Sequence, residues 1–420
     1  MEKLAIVGTG IAGMGAAYFL NKNYDITVFE KDNYVGGHTN TITVKENDKD
    51  IFIDTGFMVF NKVTYPNLTK LFEKLNVAIK PTDMSFSVFH LESGLEYSGS
   101  GLNGLFAQRK NIFNPKFVKM LFQINRFNKE CLETLSNPKY ADYSLADYVE
   151  EKEFGNEFLY KYLIPMSSAV WSSPPDLMLK FPAKTLVRFF HNHGFLGLGT
   201  QHQWYTVVDG SQSYRKKITE QYHDKIHVNS GVKTVSRENG KIKITTVDNT
   251  EYVFDKVILA SHADETLKML ADPTDLEKNI LSKFKYQLNK ATLHTDSTIM
   301  PKNKKVWSSW NYRIEPKNGE VKTSTIYYMN SLQHVSKSQD YFVSINDPGN
   351  VSTDKIIKEI DYDHPLFDLD SIKTQENIQQ INNQGNNTFF CGSYFKYGFH
   401  EDAFASALEL SFQLLGKIKW

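Results

Sequence analysis

Within its first thirty residues the chain carries a pattern that leaves few folds open. Lys3-Leu-Ala-Ile-Val7 is a short apolar run of the kind a buried parallel strand needs. It runs directly into Gly8-Thr-Gly10-Ile11-Ala12-Gly13, and Ala12 to Leu20 then reads as a helix with small residues facing a sheet. Asp25-Ile-Thr-Val-Phe-Glu30 reads as a second strand that ends in an acid. Each position has a mechanical reason. Gly8 permits a tight turn, Gly10 lets the backbone approach a pyrophosphate, and Gly13 allows close packing of helix on strand. Phosphates would sit on the helix N-terminus, where free N–H groups and the helix dipole favour anions. Glu30 is placed to accept hydrogen bonds from adenosine ribose hydroxyls, and its charge disfavours a 2′-phosphate there. A lone G-x-G-x-x-G is weak, but here strand, helix and acid surround it in order. The pattern predicts a dinucleotide site.

The next two segments bear on which dinucleotide it is. Glu30 leads into Lys31-Asp-Asn-Tyr-Val-Gly36-Gly37-His38-Thr39, and Phe52-Ile-Asp54-Thr55-Gly56 comes soon after. The first run resembles the E-x(5–6)-G-G-R segment of the flavin amine oxidase and phytoene desaturase superfamily, with His38 in place of arginine. The second resembles that superfamily's D-x-G segment, where the chain turns back toward the flavin. NAD dehydrogenases have a counterpart of neither, so the resemblance implies FAD. Thr388-Phe-Phe-Cys-Gly392-Ser393 through His400-Glu401-Asp402-Ala403 to Ala407 resembles the closing element, a strand ending in G-D followed by a helix. Ser393 stands where Asp is usual and can still hydrogen-bond a ribityl hydroxyl. Asp402 stands where Gly is usual and is expected to turn outward and cap the helix. That helix, from Ala403 to Leu415, would aim its N-terminus at the flavin pyrimidine ring and stabilise negative charge in the reduced state.

Between these blocks the chain changes character twice. From 65 to 205 it is mostly helical in pattern. From 206 it turns to β, with Ile226-His-Val-Asn, Val232 to Ser236 and Lys241 to Val247 as alternating strands and turns at Asn239-Gly240 and Asp248-Asn249. Phe254 to Ala260 resembles the superfamily's second cofactor block, the position of Val232 matches backbone that grips adenine, and Gly210-Ser211 resembles the glycine turn before that block. Residues 266–385 are mixed, with strands of a second sheet. The expected fold is α/β: a Rossmann-like, three-layer FAD-binding domain of the amine oxidase type, made of 1–64, 206–265 and 386–420. It is interleaved with an α+β substrate domain made of 65–205 and 266–385. There is no second G-x-G-x-x-G for a nicotinamide domain.

Gly37-His-Thr-Asn-Thr, Asp54 to Asn61, Thr64-Tyr-Pro-Asn-Leu-Thr, Asp83 to Val88, Trp204 to Ser211 and Tyr397 to Asp402 narrow the resemblance. Together they are similar to amine-oxidase-like proteins found beside, or fused to, cyclopropane-fatty-acid synthase homologues. The resemblance implies an acyl-chain substrate that a partner methyltransferase has modified. Hydride removal from such a chain, as in a desaturase, is the leading expectation. A redox-neutral double-bond isomerase, a true amine oxidase and a scaffold with structural FAD remain open. His400 is the candidate titratable group near the ring, the alternative being a histidine that only hydrogen-bonds. Trp171, His193, Trp204 and Tyr205 are candidate substrate-cavity residues, with core packing or surface as the bland reading for them and for His202.

Composition sets the outer limits. Equal numbers of acids and bases, 48 each, leave no global field to recruit nucleic acid. The 29 Phe and 22 Tyr suit a large apolar cavity or a Phe-rich core. Cys131 and Cys391 lack metal-ligand spacing, so no metal site and no disulfide framework is expected. No signal peptide and no spanning run of about eighteen apolar residues is found, which predicts a cytoplasmic location. One segment complicates that location. Residues 108–129 are basic and amphipathic, with Arg109, Lys110, Lys116, Lys119, Arg126 and Lys129 against Phe113, Phe117, Met120, Leu121 and Ile124. It either lies peripherally on the inner face of a membrane or packs its apolar face on the substrate domain.

Overall fold

The computed structural model describes residues 1–197, 199–418 and 420. Its central sheet has five strands, in the order Ile226–His227, Asp25–Phe29, Lys3–Val7, Lys256–Leu259 and Thr388–Phe390. All four pairings are parallel. Lys3–Val7 lies in the middle, and Leu4, Ala5 and Ile6 are fully buried, as a strand flanked on both edges and both faces must be. The short strand Ile226–His227 joins this sheet rather than the antiparallel ribbon that comes next in the chain. That ribbon, Val232–Glu238, Lys241–Thr246 and Glu251–Phe254, turns at Asn239-Gly240 and Asn249, all with positive φ.

The helix Ile11–Leu20 packs against the closing helix His400–Leu415 on one face of the sheet. Gly15 makes that approach fit, since a Cβ there would stand 2.9 Å from the Phe404 ring. A seven-stranded sheet forms the second body, in the order Ile356–Leu366, Lys285–His294, Phe342–Ile345, Glu320–Tyr328, Trp310–Lys317, Phe86–His90 and Leu95–Ser98. The stretch expected to be mostly helical therefore also supplies strands, at 79–82, 86–90 and 95–98. Phe86–His90 lies parallel to Trp310–Lys317, so its partner comes more than two hundred residues later. The helices from Pro115 to Asn192 stack beside this sheet around a core of Phe117, Phe127, Phe158 and Phe190. Both cysteines are free and buried. Among the described residues no helix is long and apolar enough to cross a membrane.

Candidate functional site

The glycine turn is shaped by contacts that a side chain would abolish. Gly8 has φ +100°, and a Cβ on Gly13 would lie 1.9 Å from the Gly8 carbonyl oxygen. Gly10 differs, because nothing lies within 4 Å of its Cβ position. It precedes the helix Ile11–Leu20, whose first turn has no side-chain cap. The free N–H groups of that turn face open space beside Ile11 and Ala12, both on a cavity wall. The Glu30 carboxylate is buried and accepts from the Thr9 N–H (3.0 Å), the Thr9 hydroxyl and the Asp32 N–H (3.0 Å). Thr9 in turn accepts from the Gly36 N–H, so the acid ties the first glycine turn to the second. Lys31 pairs with Glu265 at 2.7 Å.

The second glycine pair closes on the first. Gly36 and Gly37 have φ +132° and +56°, and a Cβ on Gly37 would sit 3.3 Å from Gly10 Cα. Arg215, which no sequence motif singles out, donates to the Val35 carbonyl and braces this loop from below. Gly56 lies against the same loop, since its Cβ would meet the His38 carbonyl oxygen at 2.3 Å. His38 lines the cavity, stacks on Tyr362 at 4.7 Å, and leaves Nε2 buried without a partner. Burial and the neighbouring His364 hold its pKa well below the ordinary value.

One cavity of about 850 Å³ joins these parts, within the range of ligand sites. Its dinucleotide end is walled by Gly8, Gly10, Glu30, Lys31, Val232 and His262. Its other end is walled by Trp171, Phe189, Trp204, Trp310, Tyr327 and Phe399. Thr55, Gly56, His38, Gly392, Ser393, His400 and Ala403 stand on the wall as well. The glycine cradle, the uncapped helix and the partnerless His38 nitrogen fit FAD. Gly37 and Val232 would meet its diphosphate and adenine, and Ser393 and Ala403 the ribityl and flavin. No group of three or more His, Cys, Asp or Glu is placed to hold a metal ion among the described residues.

Several expected contacts lie elsewhere. Asp54 is buried off the wall, and its carboxylate accepts from Thr41 Oγ1, Ser211 N, Ser211 Oγ and Gln333 Nε2. In this structure it serves as a structural node. Thr39, Gly13 and Gly36 also sit behind the wall, Thr39 bonded to Tyr214 and His400. Glu401 accepts from Asn67 N, Asn67 Nδ2 and Leu68 N, capping the helix Pro66–Lys74. Asp402 does cap its own helix, through the Phe399 N–H at 3.0 Å, but it is buried rather than turned outward. Burial pushes its pKa up to about 7.

His400 faces the cavity with its ring stacked on Phe57 at 3.9 Å. Its Nε2 is engaged by Tyr214 Oη (2.8 Å) and Thr39 Oγ1 (3.1 Å), and burial lowers its pKa to about 3. A ring held by two hydroxyl groups and with its basicity so reduced is poorly suited to take a proton from a substrate. Trp171 and Trp204 line the aromatic end, and the Trp204 indole N–H has no partner. His193 lies one layer behind them, between Phe189 (3.9 Å) and Trp204 (6.0 Å), with both ring nitrogens bonded. Tyr205 points away, because strand alternation that turns Trp204 inward turns its neighbour out, under Lys62. His202 is half-buried, off the cavity wall, and bonded to the Asn192 carbonyl. The cavity also takes in His262, Tyr362 and His364, which no sequence pattern had marked. Tyr362 and His364 both lie on the strand Ile356–Leu366 and His262 follows the strand Lys256–Leu259, with only the Ser261-His262-Ala263 strand end as a signal.

The family model described as flavin containing amine oxidoreductase matches residues 11–346. No curated protein matches the chain. Among solved structures, a CLA-producing fatty acid isomerase from P. acnes is similar over 99% of each chain, at 16% identity and TM-score 0.65. Putrescine oxidase bound to putrescine is similar over 99% of each chain, at 12% identity and TM-score 0.69. Cyclohexylamine oxidase from Brevibacterium oxydans is similar over 98% of this chain and 99% of its own, at 12% identity and TM-score 0.65. At such identities the likeness is one of fold. The family match spans most of the chain and coincides with a cavity that fits FAD: the protein belongs to the flavin-containing amine oxidoreductases and is an FAD-dependent oxidoreductase.

Proposed function

We propose that the protein moves hydride from an apolar acyl chain to FAD. The observation that carries this reading is the wall of the aromatic end. Charged cavity residues, namely Glu30, Lys31, Asp32, Glu265, Lys268, Asp361 and Asp363, come from the dinucleotide side and from the strand Ile356–Leu366. Among the described residues none comes from the aromatic end, where Trp171, Phe189, Phe195, Trp204, Tyr327 and Ile345 gather. An ammonium substrate would lose its hydration there and find no carboxylate, whereas an acyl chain gains by leaving water. Bound FAD supplies the two-electron acceptor for a hydride. The chain's own part is to hold the substrate carbon close, exclude water and keep the wall rigid.

The wall favours a second reading of the same site. Net desaturation releases a proton from the adjoining carbon, and His38, His262, His364 and His400 are all held below the ordinary histidine pKa by burial. Double-bond isomerisation, in which hydride leaves one carbon and returns to another, releases no proton. The fatty acid isomerase of the same fold supports that alternative. Anaerobic mixing with unsaturated long-chain fatty acids, and separately with primary amines, tests the proposal. Lasting loss of flavin absorbance with lipid marks desaturation, and a shifted double bond without lasting loss marks isomerisation. Bleaching by amines alone overturns both. By resemblance to proteins beside cyclopropane-fatty-acid synthase homologues, we extend the proposal to chains that such a methyltransferase has modified. An unchanged acyl profile in a deletion strain would sink that extension.

A further inference from the structure

We propose that the surface formed by Gly101–Leu105, Arg109–Phe113 and the helix Pro115–Glu130 docks on an anionic lipid bilayer. Within the basic segment the structure separates two kinds of apolar residue. Phe117, Met120 and Phe127 face inward and are buried in the helical core. Phe122, on the opposite side of the same helix, is 72% exposed. Phe113, just before the helix, is 87% exposed, and Leu102 and Ile112 are 75% and 47% exposed. A helix that only packed on its own domain would have no use for the second set.

The charges beside these side chains decide the occupant. Arg109, Lys110, Lys116, Lys119 and Lys129 are exposed, and no acid occurs from residue 101 to residue 129. Among the described residues Lys110, Lys116, Lys119 and Lys129 form no ion pair within 4 Å. Arg109 is held to the Phe106 carbonyl and Asn103. Arg126 faces Glu130 at 3.8 Å and bonds the Lys152 carbonyl. Glu153 shares a shallow groove with Lys119 and Phe122, and it is the one acid there. Helical spacing puts Lys119, Phe122, Arg126 and Lys129 on one face, so lysine and phenylalanine are interleaved rather than sorted into core and rim. Protein interfaces deplete lysine from their centres. A bilayer surface takes both at once, aromatic tips in the acyl boundary and ammonium groups on lipid phosphates.

None of these residues lines the cavity, so the inference stands apart from the acyl-chain reading and can fail without it. The test is co-sedimentation of the FAD-loaded full chain with vesicles of phosphatidylcholine alone and of phosphatidylcholine with phosphatidylglycerol in equal parts. Binding is expected to the anionic vesicles only, and to fall as salt is raised. Two double variants, Phe113→Ser with Phe122→Ser and Lys116→Gln with Lys119→Gln, are each expected to weaken binding roughly ten-fold or more. Their flavin spectrum and melting temperature should be unchanged, which separates lost docking from lost folding. No pelleting with anionic vesicles, equal pelleting with neutral ones, or undiminished binding by either variant overturns the proposal.

Discussion

A carboxyl group whose pKa is pushed up to about 7 sits at the start of the closing helix, in Asp402. Because its folded pKa lies above the unfolded value of 3.8, the native state favours its proton. The stabilisation this gives is complete below pH 3.8 and is lost as pH rises through about 7. Asp402→Asn keeps an acceptor for the Phe399 N–H and removes the charge. Thermal scans should therefore show it melting a few degrees above the parent at pH 8 and level with it near pH 4. A second pair of variants separates cofactor seat from fold. The Cβ of Gly10→Val would meet nothing within 4 Å, so the apo protein should melt normally while the rise in melting temperature on adding FAD disappears. Gly13→Ala places its Cβ against the Gly8 carbonyl and should lower the apo melting temperature as well. Gly10 and Gly13 were legible in the sequence because spacing alone assigns them to pyrophosphate approach and to packing. His193 and Tyr205 were not. Which side of a four-residue strand faces a cavity depends on pairing with Phe60–Asn61 and Ile79–Thr82, and a lone Trp-Tyr pair carries no such information.

At the level of elements, Asp54 decides how the strand Lys49–Asp54 meets its neighbours. It gathers Thr41 from the paired strand, Ser211 from the turn after Trp204–Val207, and Gln333 from the segment leading out of the seven-stranded sheet. Burial nonetheless raises its pKa, so the donors only partly offset the lost hydration. Asp54→Asn turns one acceptor into a donor facing other donors. It should cost about 1–3 kcal/mol by urea denaturation. Because Thr55 and Gly56 come directly after it on the cavity wall, FAD release on dilution should also be faster. The D-x-G resemblance pointed to this segment but assigned its acid to the ligand. What the pattern could not show was Gln333, a partner nearly three hundred residues away that follows the short helix Met329–Leu332. The strands at 86–90 and 95–98 were hidden for the same reason, since short apolar runs read as helix or strand alike until the distant partner at 310–317 is in place.

For the molecule as a whole, buried histidines should contribute to the loss of stability in acid. His400 has its pKa lowered to about 3, and His193, His294 and His364 to about 4, all by burial. Each binds a proton more readily when unfolded, near pH 6.5. Their contribution is intact above that pH and is lost progressively down to about pH 4, with a further loss toward pH 3 from His400. Each unit of depression corresponds to about 1.4 kcal/mol. Denaturant midpoints measured from pH 7 to pH 4 should fall steeply, and His400→Gln should make that fall shallower over the whole range.

The order of strands in the central sheet has a consequence for how the protein is made. Lys256–Leu259 and Thr388–Phe390 complete the sheet that Lys3–Val7 begins, and Phe404 fills the notch at Gly15. At ordinary ribosomal speeds the first βαβ unit waits on the order of twenty to seventy seconds for these partners, its apolar faces uncovered. A nascent chain stopped before residue 388 has the glycine cradle yet lacks Gly392, Ser393, His400 and Ala403. Capture of the flavin is therefore a late event in biogenesis, and until then the growing chain depends on whatever shields its unfinished sheet.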